Sequence, residues 1–441
     1  MLQPLRVFSG LIFLTAPVFL AACAVRSGSS SNPEKKPGGL TLELALRIPG
    51  EARGGELGFR FSRPCDLDGD SIADIAAGAR YTDLEFSQMG TVTVWSSDGG
   101  TELAHWEGHA EDGLFGHSVL AGPDLDGDRK GDVIAAAPNG QYHGVYRGLL
   151  YARSVATGRR LWSVVGERHE GFGWDMARAG DQNGDGTEDV FVGAPSSDGG
   201  RVYLVGGDDG ATLRVFSSSG KHDQFGWYVA APSTPRSAPE QLDPGGSGVS
   251  RVGAAYALSA CSGETLHLWY GARADGMFGE VVAGLSDLDG DSVGDVVVGA
   301  PVAASQAGEL ETPGEVFVFS GTSGAPIHCF TGRPGELYGR MVSDAGDLDD
   351  DGASDIAIGA PWATVSGMVK AGRFEVRSGR TGELLASVSG ARADMWLGWH
   401  IAGAEDVGRE KKRGLLVAAL RSEENGLAGA AALYLYVVRE P

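Results

Sequence analysis

Residues 278–301 read FGEVVAGLSDLDGDSVGDVVVGAP, and the same pattern recurs throughout the chain. An aromatic residue or leucine followed by glycine opens it. This pair is followed by a short apolar run, in five units by an aspartate-rich loop, and then by a second apolar run that ends in Gly-Ala-Pro or a variant. The opening pairs are Leu57-Gly58, Phe115-Gly116, Phe172-Gly173, Phe225-Gly226, Phe278-Gly279, Tyr338-Gly339 and Leu397-Gly398. Residues 40–441 are therefore one unit of about 57 residues repeated seven times.

Each unit continues with an alternating apolar run such as Glu315–Phe319, a turn such as Thr381-Gly382, and one more strand-like run. Four short strands per unit, separated by glycine-bearing turns, are typical of sheets repeated around an axis. The sequence therefore predicts an all-β fold, a seven-bladed β-propeller of four-stranded blades.

The two ends of the repeat region predict how the ring closes. The last unit has no fourth strand-like run after Leu433–Val438, while Leu40–Ile48 precedes the first pair with no unit of its own. We expect this N-terminal strand to complete the last blade, because an unpaired sheet edge invites aggregation.

These linked motifs resemble the FG-GAP repeats of the integrin α-subunit N-terminal β-propeller, which also has seven. The resemblance covers nearly all of residues 40–441. It implies calcium loops between the first two strands of each blade. It also implies a ligand or partner face on the opposite side, built by the loops that enter each blade and those that join its second and third strands.

Five aspartate-rich loops carry the most specific chemistry. Each begins nine residues after its pair and has oxygen-bearing side chains at loop positions 1, 3, 5 and 9, which include 19 carboxylates. Calcium takes roughly six to eight oxygen ligands, so these side chains and the position-7 carbonyl suit it better than Mg²⁺. We predict about five structural Ca²⁺ sites, with the loop residues Asp66, Asp68, Asp70, Ile72, Asp74; Asp124, Asp126, Asp128, Lys130, Asp132; Asp181, Asn183, Asp185, Thr187, Asp189; Asp287, Asp289, Asp291, Val293, Asp295; and Asp347, Asp349, Asp351, Ala353, Asp355.

Loop position 6 and two of the units depart from the pattern. The family usually has glycine at position 6, so Ser71, Arg129 and Ser292 are expected to need a different backbone conformation there. The fourth unit has no acidic positions at the corresponding place, and the seventh has a basic run, Lys411–Arg413, after its residual acids. We expect no metal in either unit, and we expect the basic run to lie beside those acids.

Residues 1–22 read as an export signal, with Arg6 before an apolar stretch that ends Leu20-Ala21-Ala22-Cys23. This ending resembles the bacterial lipobox, in which the cysteine is lipidated. We therefore predict a lipoprotein signal peptide over 1–22, a lipidated Cys23 with a flexible tether over 23–39, and attachment to a bacterial cell envelope. A simple secretory signal with a chance cysteine is the alternative.

The composition argues against two classes of function. The chain has 441 residues and a formal net charge of −22, which disfavours a nucleic-acid partner because such binding depends on clustered Lys and Arg. Short motifs of hydrolases and phosphate-binding enzymes are missing from the sequence, and the repeats occupy all of residues 40–441. We therefore predict no catalytic residues.

Binding is the favoured function. We expect a protein or glycan ligand on the face opposite the calcium loops, with interface-type side chains at Tyr81, Tyr142, His143, Tyr146, Arg147 and Trp362. The leading hypothesis is a calcium-stabilised, lipid-anchored propeller that acts as a cell-surface adhesion or protein-binding module. The alternatives are a propeller hydrolase or lyase acting on an envelope polysaccharide or lipid, and a structural subunit of an envelope complex.

Overall fold

The computed structural model describes residues 39–50, 55–81, 89–109, 112–196, 199–218, 224–231, 240–243, 253–273, 276–302, 312–424 and 427–439. The predicted signal peptide, Cys23 and nearly all of the tether lie outside these residues. Within them the chain forms strands and turns, with no α-helix. The described part of the chain accordingly offers no helix long and apolar enough to cross a membrane.

Seven antiparallel four-stranded sheets follow one another along the chain. The first three contain β2 (Leu57–Phe61), β3 (Asp74–Ala79), β4 (Thr91–Ser96) and β5 (Glu102–Glu107); β6 (Ser118–Ala121), β7 (Val133–Ala137), β10 (Leu149–Arg153) and β11 (Arg160–Val165); and β12 (Met176–Gly180), β13 (Asp189–Ala194), β14 (Arg201–Val205) and β15 (Thr212–Ser217). A separate hairpin of β8 (Gln141–Tyr142) and β9 (Val145–Tyr146) lies between β7 and β10.

The remaining sheets continue the series. They contain β16 (Val229–Ala230), β17 (Glu240–Asp243), β18 (Ala254–Leu258) and β19 (Thr265–Tyr270); β20 (Val281–Gly284), β21 (Val296–Ala300), β22 (Pro313–Phe319) and β23 (Pro326–Pro334); β24 (Met341–Gly346), β25 (Asp355–Ala360), β26 (Arg373–Arg377) and β27 (Leu384–Ser389); and β28 (Leu397–Val407), β29 (Lys412–Glu424), β30 (Leu427–Val438) and β1 (Leu42–Pro49).

The prediction of four-stranded blades in an all-β ring is confirmed, but the blades are not seven equal copies. Six sheets are complete blades. The fourth is partial, because β16 has two residues and β17 stands between stretches outside the described residues. The aspartate-rich loop, which joins the first strand to the second in five of the other blades, is also missing from the sequence of this unit.

The first strands of the sheets line the axis of the ring. β2, β6, β12, β16, β20, β24 and β28 contact one another in that order, and β28 contacts β2. The predicted closing strand is also confirmed: β1 pairs with β30 through seven residue pairs, from Leu42 opposite Val438 to Pro49 opposite Ala432. Both ends of the repeat region therefore meet in one blade.

The recurring glycines pack against each other between blades. A Cβ on Gly299, in the Gly-Ala-Pro run of the fifth blade, would lie 2.2 Å from the carbonyl oxygen of Gly339, in the opening pair of the sixth. A Cβ on Gly359 would lie 2.1 Å from the oxygen of Gly398 in the same way. Only glycine permits this backbone approach, which explains why both motifs recur together.

The hydrophobic core lies between neighbouring blades rather than at one centre. One cluster joins Val92 and Trp106 of the first blade to Phe115 and Val133 of the second, and another joins Leu150 to Phe172 and Val192. The aromatic residue of each opening pair fills these spaces, with Phe115, Phe172, Phe225, Phe278 and Tyr338 all at most 2% exposed. The repeat thus buries the apolar faces of adjacent sheets.

Candidate metal loops and partner face

Each aspartate-rich loop is folded by hydrogen bonds from its own backbone. In the first loop, Gly69 N–H donates to Asp66 Oδ1 at 2.7 Å and Ser71 N–H to Asp66 Oδ2 at 2.8 Å. Asp68 and Asp70 each accept from the amide two residues further on. Such turns are a common use of aspartate, and here they direct the side chains of positions 1, 3 and 5 to the inside of one loop.

The structure brings three carboxylates together in four of the five loops. In each group the oxygen atoms lie within 4.8 Å of one another, and the groups are Asp66, Asp68, Asp70; Asp124, Asp126, Asp132; Asp287, Asp289, Asp291; and Asp347, Asp349, Asp351. The third loop has Asn183 at position 3, and its amide donates to Asp185 Oδ2 at 2.6 Å. The described residues of that loop form no group of three carboxylates.

The position-9 aspartates differ from the others because they are buried. Asp74, Asp132, Asp189, Asp295 and Asp355 are at most 1% exposed, and each accepts the position-2 amide through Oδ2, as Asp74 does from Leu67 at 2.9 Å. Burial and the neighbouring carboxylates raise the pKa of Asp74 to about 7. Burial likewise raises the pKa of Asp355 to about 7.

The chemistry of this donor set fits a hard divalent cation. The loops present carboxylates and backbone carbonyls and no softer ligand at their key positions. In the first loop, Asp74 Oδ1 is buried without a hydrogen-bond partner. A nearby cation would offset both this unsatisfied oxygen and the repulsion among the clustered carboxylates.

The expectation of a different backbone at loop position 6 is wrong. Ser71, Arg129 and Ser292 adopt φ values of 66°, 69° and 69°, the same left-handed region as Gly186 and Gly352. The left-handed residue is needed there because its N–H must reach the position-1 carboxylate, as Ser292 N–H does to Asp287 Oδ2 at 2.7 Å. Non-glycine residues adopt this geometry at a cost in strain.

The basic run of the seventh unit does not act as one group. Lys412 does lie beside a residual acid, with Nζ 2.7 Å from Glu410. Arg413 instead reaches the sixth loop, where it donates to the carbonyl oxygen of Asp347 and pairs with Asp350 Oδ1 at 2.7 Å. The sixth loop therefore has a cation from the next blade on its outer side.

An aromatic belt lies at the other end of the first strands. We define it as the rings Phe59, His117, Trp174, Trp227, Trp362, Trp396 and Trp399. Successive ring centroids lie 4.6–6.2 Å apart from Trp362 through Trp396, Trp399, Phe59, His117 and Trp174 to Trp227. Five of these residues directly follow the glycine of an opening pair, and this repeated position is the signal by which the sequence could have predicted the belt.

Cations stack on the belt. The Arg80 guanidinium lies 3.6 Å from the centroid of Phe59, Lys370 Nζ lies 4.2 Å from that of Trp362, and Arg421 lies 4.2 Å from that of Trp396. These contacts hold the rings in place. The five belt residues that follow an opening glycine lie within their first strands or up to two residues before them, and each acidic loop comes after a first strand. The belt and the loops therefore lie towards opposite ends of these strands.

The predicted partner residues are split between two places. Tyr142 and Tyr146 are 48% and 51% exposed on the β8–β9 hairpin, with the ring of His143 packed against Tyr142 at 4.2 Å. Arg147 follows the hairpin and donates to the Gly166 carbonyl at 3.3 Å. Trp362 belongs to the belt instead, and Tyr81 lies beside it, 5.1 Å from the Arg80 guanidinium.

Comparison with known proteins agrees with this architecture. Residues 115–151 match the FG-GAP repeat. The chain is 31% identical over 257 residues to integrin alpha-5 of Xenopus laevis, a match that covers 52% of this chain and 24% of that protein. It is 26% identical over 265 residues to integrin alpha-PS2 of Drosophila melanogaster, covering 57% and 15%, and 32% identical over 170 residues to human integrin alpha-IIb, covering 35% and 16%.

A solved structure shows the same fold. The chain matches BBS1N, solved in complex with ARL6DN and soaked with lead, with a TM-score of 0.54 at 11% identity, over 91% of this chain and 98% of that one. The fold is a β-propeller, and over residues 115–151 the chain is similar to the FG-GAP repeat. More particularly, the chain is similar to the integrin α subunits, and its matches span a quarter or less of the length of these relatives.

Proposed function

We propose that this chain is a calcium-stabilised propeller that binds a protein or glycan partner through the face bearing the aromatic belt. The proposal rests on one observation, which is that the two ends of the first strands carry different kinds of side chain. Acidic loops gather at one end, and aromatic rings with stacked cations gather at the other. Integrin α relatives favour an adhesion or protein-binding module over an enzyme.

Calcium is the cation we assign to the acidic loops. The side chains at positions 1, 3 and 5 with the position-7 carbonyl would hold it, and the buried position-9 carboxylate would fix the loop behind it. The close carboxylates repel one another without metal, at about 1–4 kcal/mol per pair at 4 Å depending on screening. Bound Ca²⁺ therefore acts as structural support for the ring, at about five sites.

Titration calorimetry of the metal-free chain tests this assignment. We expect about five calcium equivalents, and a gain in melting temperature when calcium is restored after chelation. Asp289→Ala should remove one equivalent, because Asp289 belongs to a three-carboxylate group. Asp208→Ala, which changes an exposed acid in the turn between β14 and β15, should remove none. Absence of calcium binding at millimolar concentration refutes the assignment.

The partner face is tested by capture experiments. The exposed Tyr142 and Tyr146 and the half-buried Trp362 offer the aromatic surface typical of interface anchors. Replacing all three with alanine should abolish capture of the partner from an envelope extract, with and without calcium. The matched control is Tyr270→Ala, a 59% exposed tyrosine on an outer strand. Equal capture by both variants removes these residues from the partner face.

We further propose that Cys23 carries the lipid that attaches the chain to a bacterial cell envelope. The support is the sequence Leu20-Ala21-Ala22-Cys23 and the polar tether after it. Cys23→Ser should release the protein into the soluble fraction and remove the mass of the acyl chains. If the masses of the two proteins differ only by the substituted side chain, Cys23 is not lipidated.

A further inference from the structure

The axis of the ring encloses a cavity of about 230 Å³. Residues from all seven first strands line it, among them Ser118, Met176, Val282, Met341 and His400, and Asp175 lies just before β12. An apolar cavity of about 150 Å³ holds a molecule the size of benzene, so this one has room for a small organic acid of roughly ten non-hydrogen atoms.

The cations at the two ends of this cavity differ in their partners. Near the acidic loops, Arg63 pairs with Glu405 at 2.8 Å and Arg178 with Glu188. Near the aromatic belt, Arg60 is 7% exposed and forms no ion pair within 4 Å among the described residues. Its Nε is buried without a hydrogen-bond partner, and its guanidinium lies 4.0 Å from the Tyr228 ring centroid.

Two further groups beside Arg60 favour an incoming acceptor. His400 lines the cavity at 8% exposure, with Nδ1 unpartnered, and burial together with the charges of Arg60 and Arg340 holds its pKa well below the ordinary value. The neutral ring can carry its proton on Nδ1 and donate. Arg340 donates to Tyr228 Oη at 3.4 Å on the same wall.

The acidic groups of the channel leave Arg60 without a close counter-ion. Burial raises the pKa of Asp175, although the charge of Arg60 opposes this, and one carboxylate oxygen is used by the Val229 amide at 2.9 Å. Burial opposes the charged form of Arg340, but Tyr228 and Glu280 together raise its pKa, so Glu280 acts on Arg340. A buried charge without a partner is costly, and an anionic acceptor offsets that cost better than a neutral water molecule does.

We propose that the belt end of the central channel binds the carboxylate or phosphate group of a small organic acid. Arg60 is the main binding residue, with His400 as a second donor and Arg340 as a further cation. A guanidinium matches the planar carboxylate or the phosphate with two parallel hydrogen bonds, and the buried setting strengthens both. The site is separate from the acidic loops and from the exposed partner hairpin.

Calorimetry of the purified full chain tests the proposal with succinate and phosphate as probes, each against chloride at equal ionic strength. We expect one site for at least one probe, and the tighter probe identifies the class of acid. Arg60→Gln should weaken binding at least about tenfold. Arg159→Gln makes the same charge change at an exposed turn and should leave binding unchanged. Equal affinity of the folded Arg60→Gln and unaltered chains overturns the proposal, as does absence of binding for both probes at millimolar concentration.

A second measurement needs no variant and remains decisive if Arg60→Gln does not fold. Crystals of the unaltered chain are soaked in selenate, a tetrahedral oxyanion with an anomalous signal. A peak beside the Arg60 guanidinium supports the site. A channel without a peak, in crystals that show selenate elsewhere, overturns it.

Discussion

Closure of the ring by β1 gives a prediction that the structure makes quantitative. Ile48 is 6% exposed and packs in the cluster that joins the last blade to the first, whereas Leu44 on the same strand is 50% exposed. Ile48→Ala should therefore cost about 2–4 kcal/mol, because it removes buried methyl groups and leaves a cavity. Leu44→Ala should cost less than about 0.5 kcal/mol.

The assay is differential scanning calorimetry in calcium, with denaturant unfolding as a check. At about 2.1 cal/mol/K per residue, the expected loss for Ile48→Ala corresponds to roughly 2–5 °C in melting temperature. Deletion of residues 40–49 should lower it further and produce oligomers, because the apolar strand β30 then becomes an open edge. Equal effects of the two alanine variants, or a deletion variant that stays monomeric with an unchanged melting temperature, would refute the reasoning.

Three more predictions follow from the loops and the buried ion pairs. Ser71→Gly and Ser292→Gly should each stabilise the chain by about 0.5–1 kcal/mol, since glycine adopts the observed left-handed φ without strain, and no gain in denaturant midpoint contradicts this. The melting temperature of the metal-free chain should rise as the pH falls from about 8 to 5. The pKa values of Asp74 and Asp355 are about 7 in the folded state against an ordinary value of 3.8, so the folded state takes up protons first. A melting temperature that falls over this pH range contradicts the prediction. Arg373→Met should cost about 3–5 kcal/mol in chemical unfolding, because it leaves the buried charge of Glu336 unpaired and leaves Glu375 with Arg377 as its remaining cation. Arg409→Met, at an 83% exposed site, should cost less than about 1 kcal/mol.

Local patterns were enough to predict the ring, the closing strand and the acidic loops. Paired glycines such as Gly299 and Gly339 indicate a close backbone approach between neighbouring blades. Five loops with the same spacing indicate a repeated blade. The partial fourth sheet was not foreseen, because Phe225-Gly226 and the apolar runs of that unit resemble the others while its insertion replaces the loop between β16 and β17.

Features that depend on distant parts of the chain were missed or wrongly predicted. Arg413 was expected to stay beside its own unit's acids, yet it pairs with Asp350 of the preceding blade. The sequence did not predict the aromatic belt or the position of Arg60, because the residue type after each opening glycine varies. Only the closed ring brings these positions together at one channel. The prediction for Ser71 was wrong because residues other than glycine usually avoid a left-handed φ. Here the hydrogen bond from the Ser71 amide to Asp66 determines the backbone conformation instead.

The joining of β1 to β30 also sets an order of events in the life of the chain. The blade that contains both strands cannot be finished until residues near 438 have been synthesised, although β1 is among the first to emerge. During synthesis, β1 remains without its partner strand while the intervening sheets assemble. In a chain that is truncated at any point after the first blade, β1 has no partner strand. Proteases can then cleave this unpaired strand in unfinished molecules, whereas in complete molecules it is paired with β30.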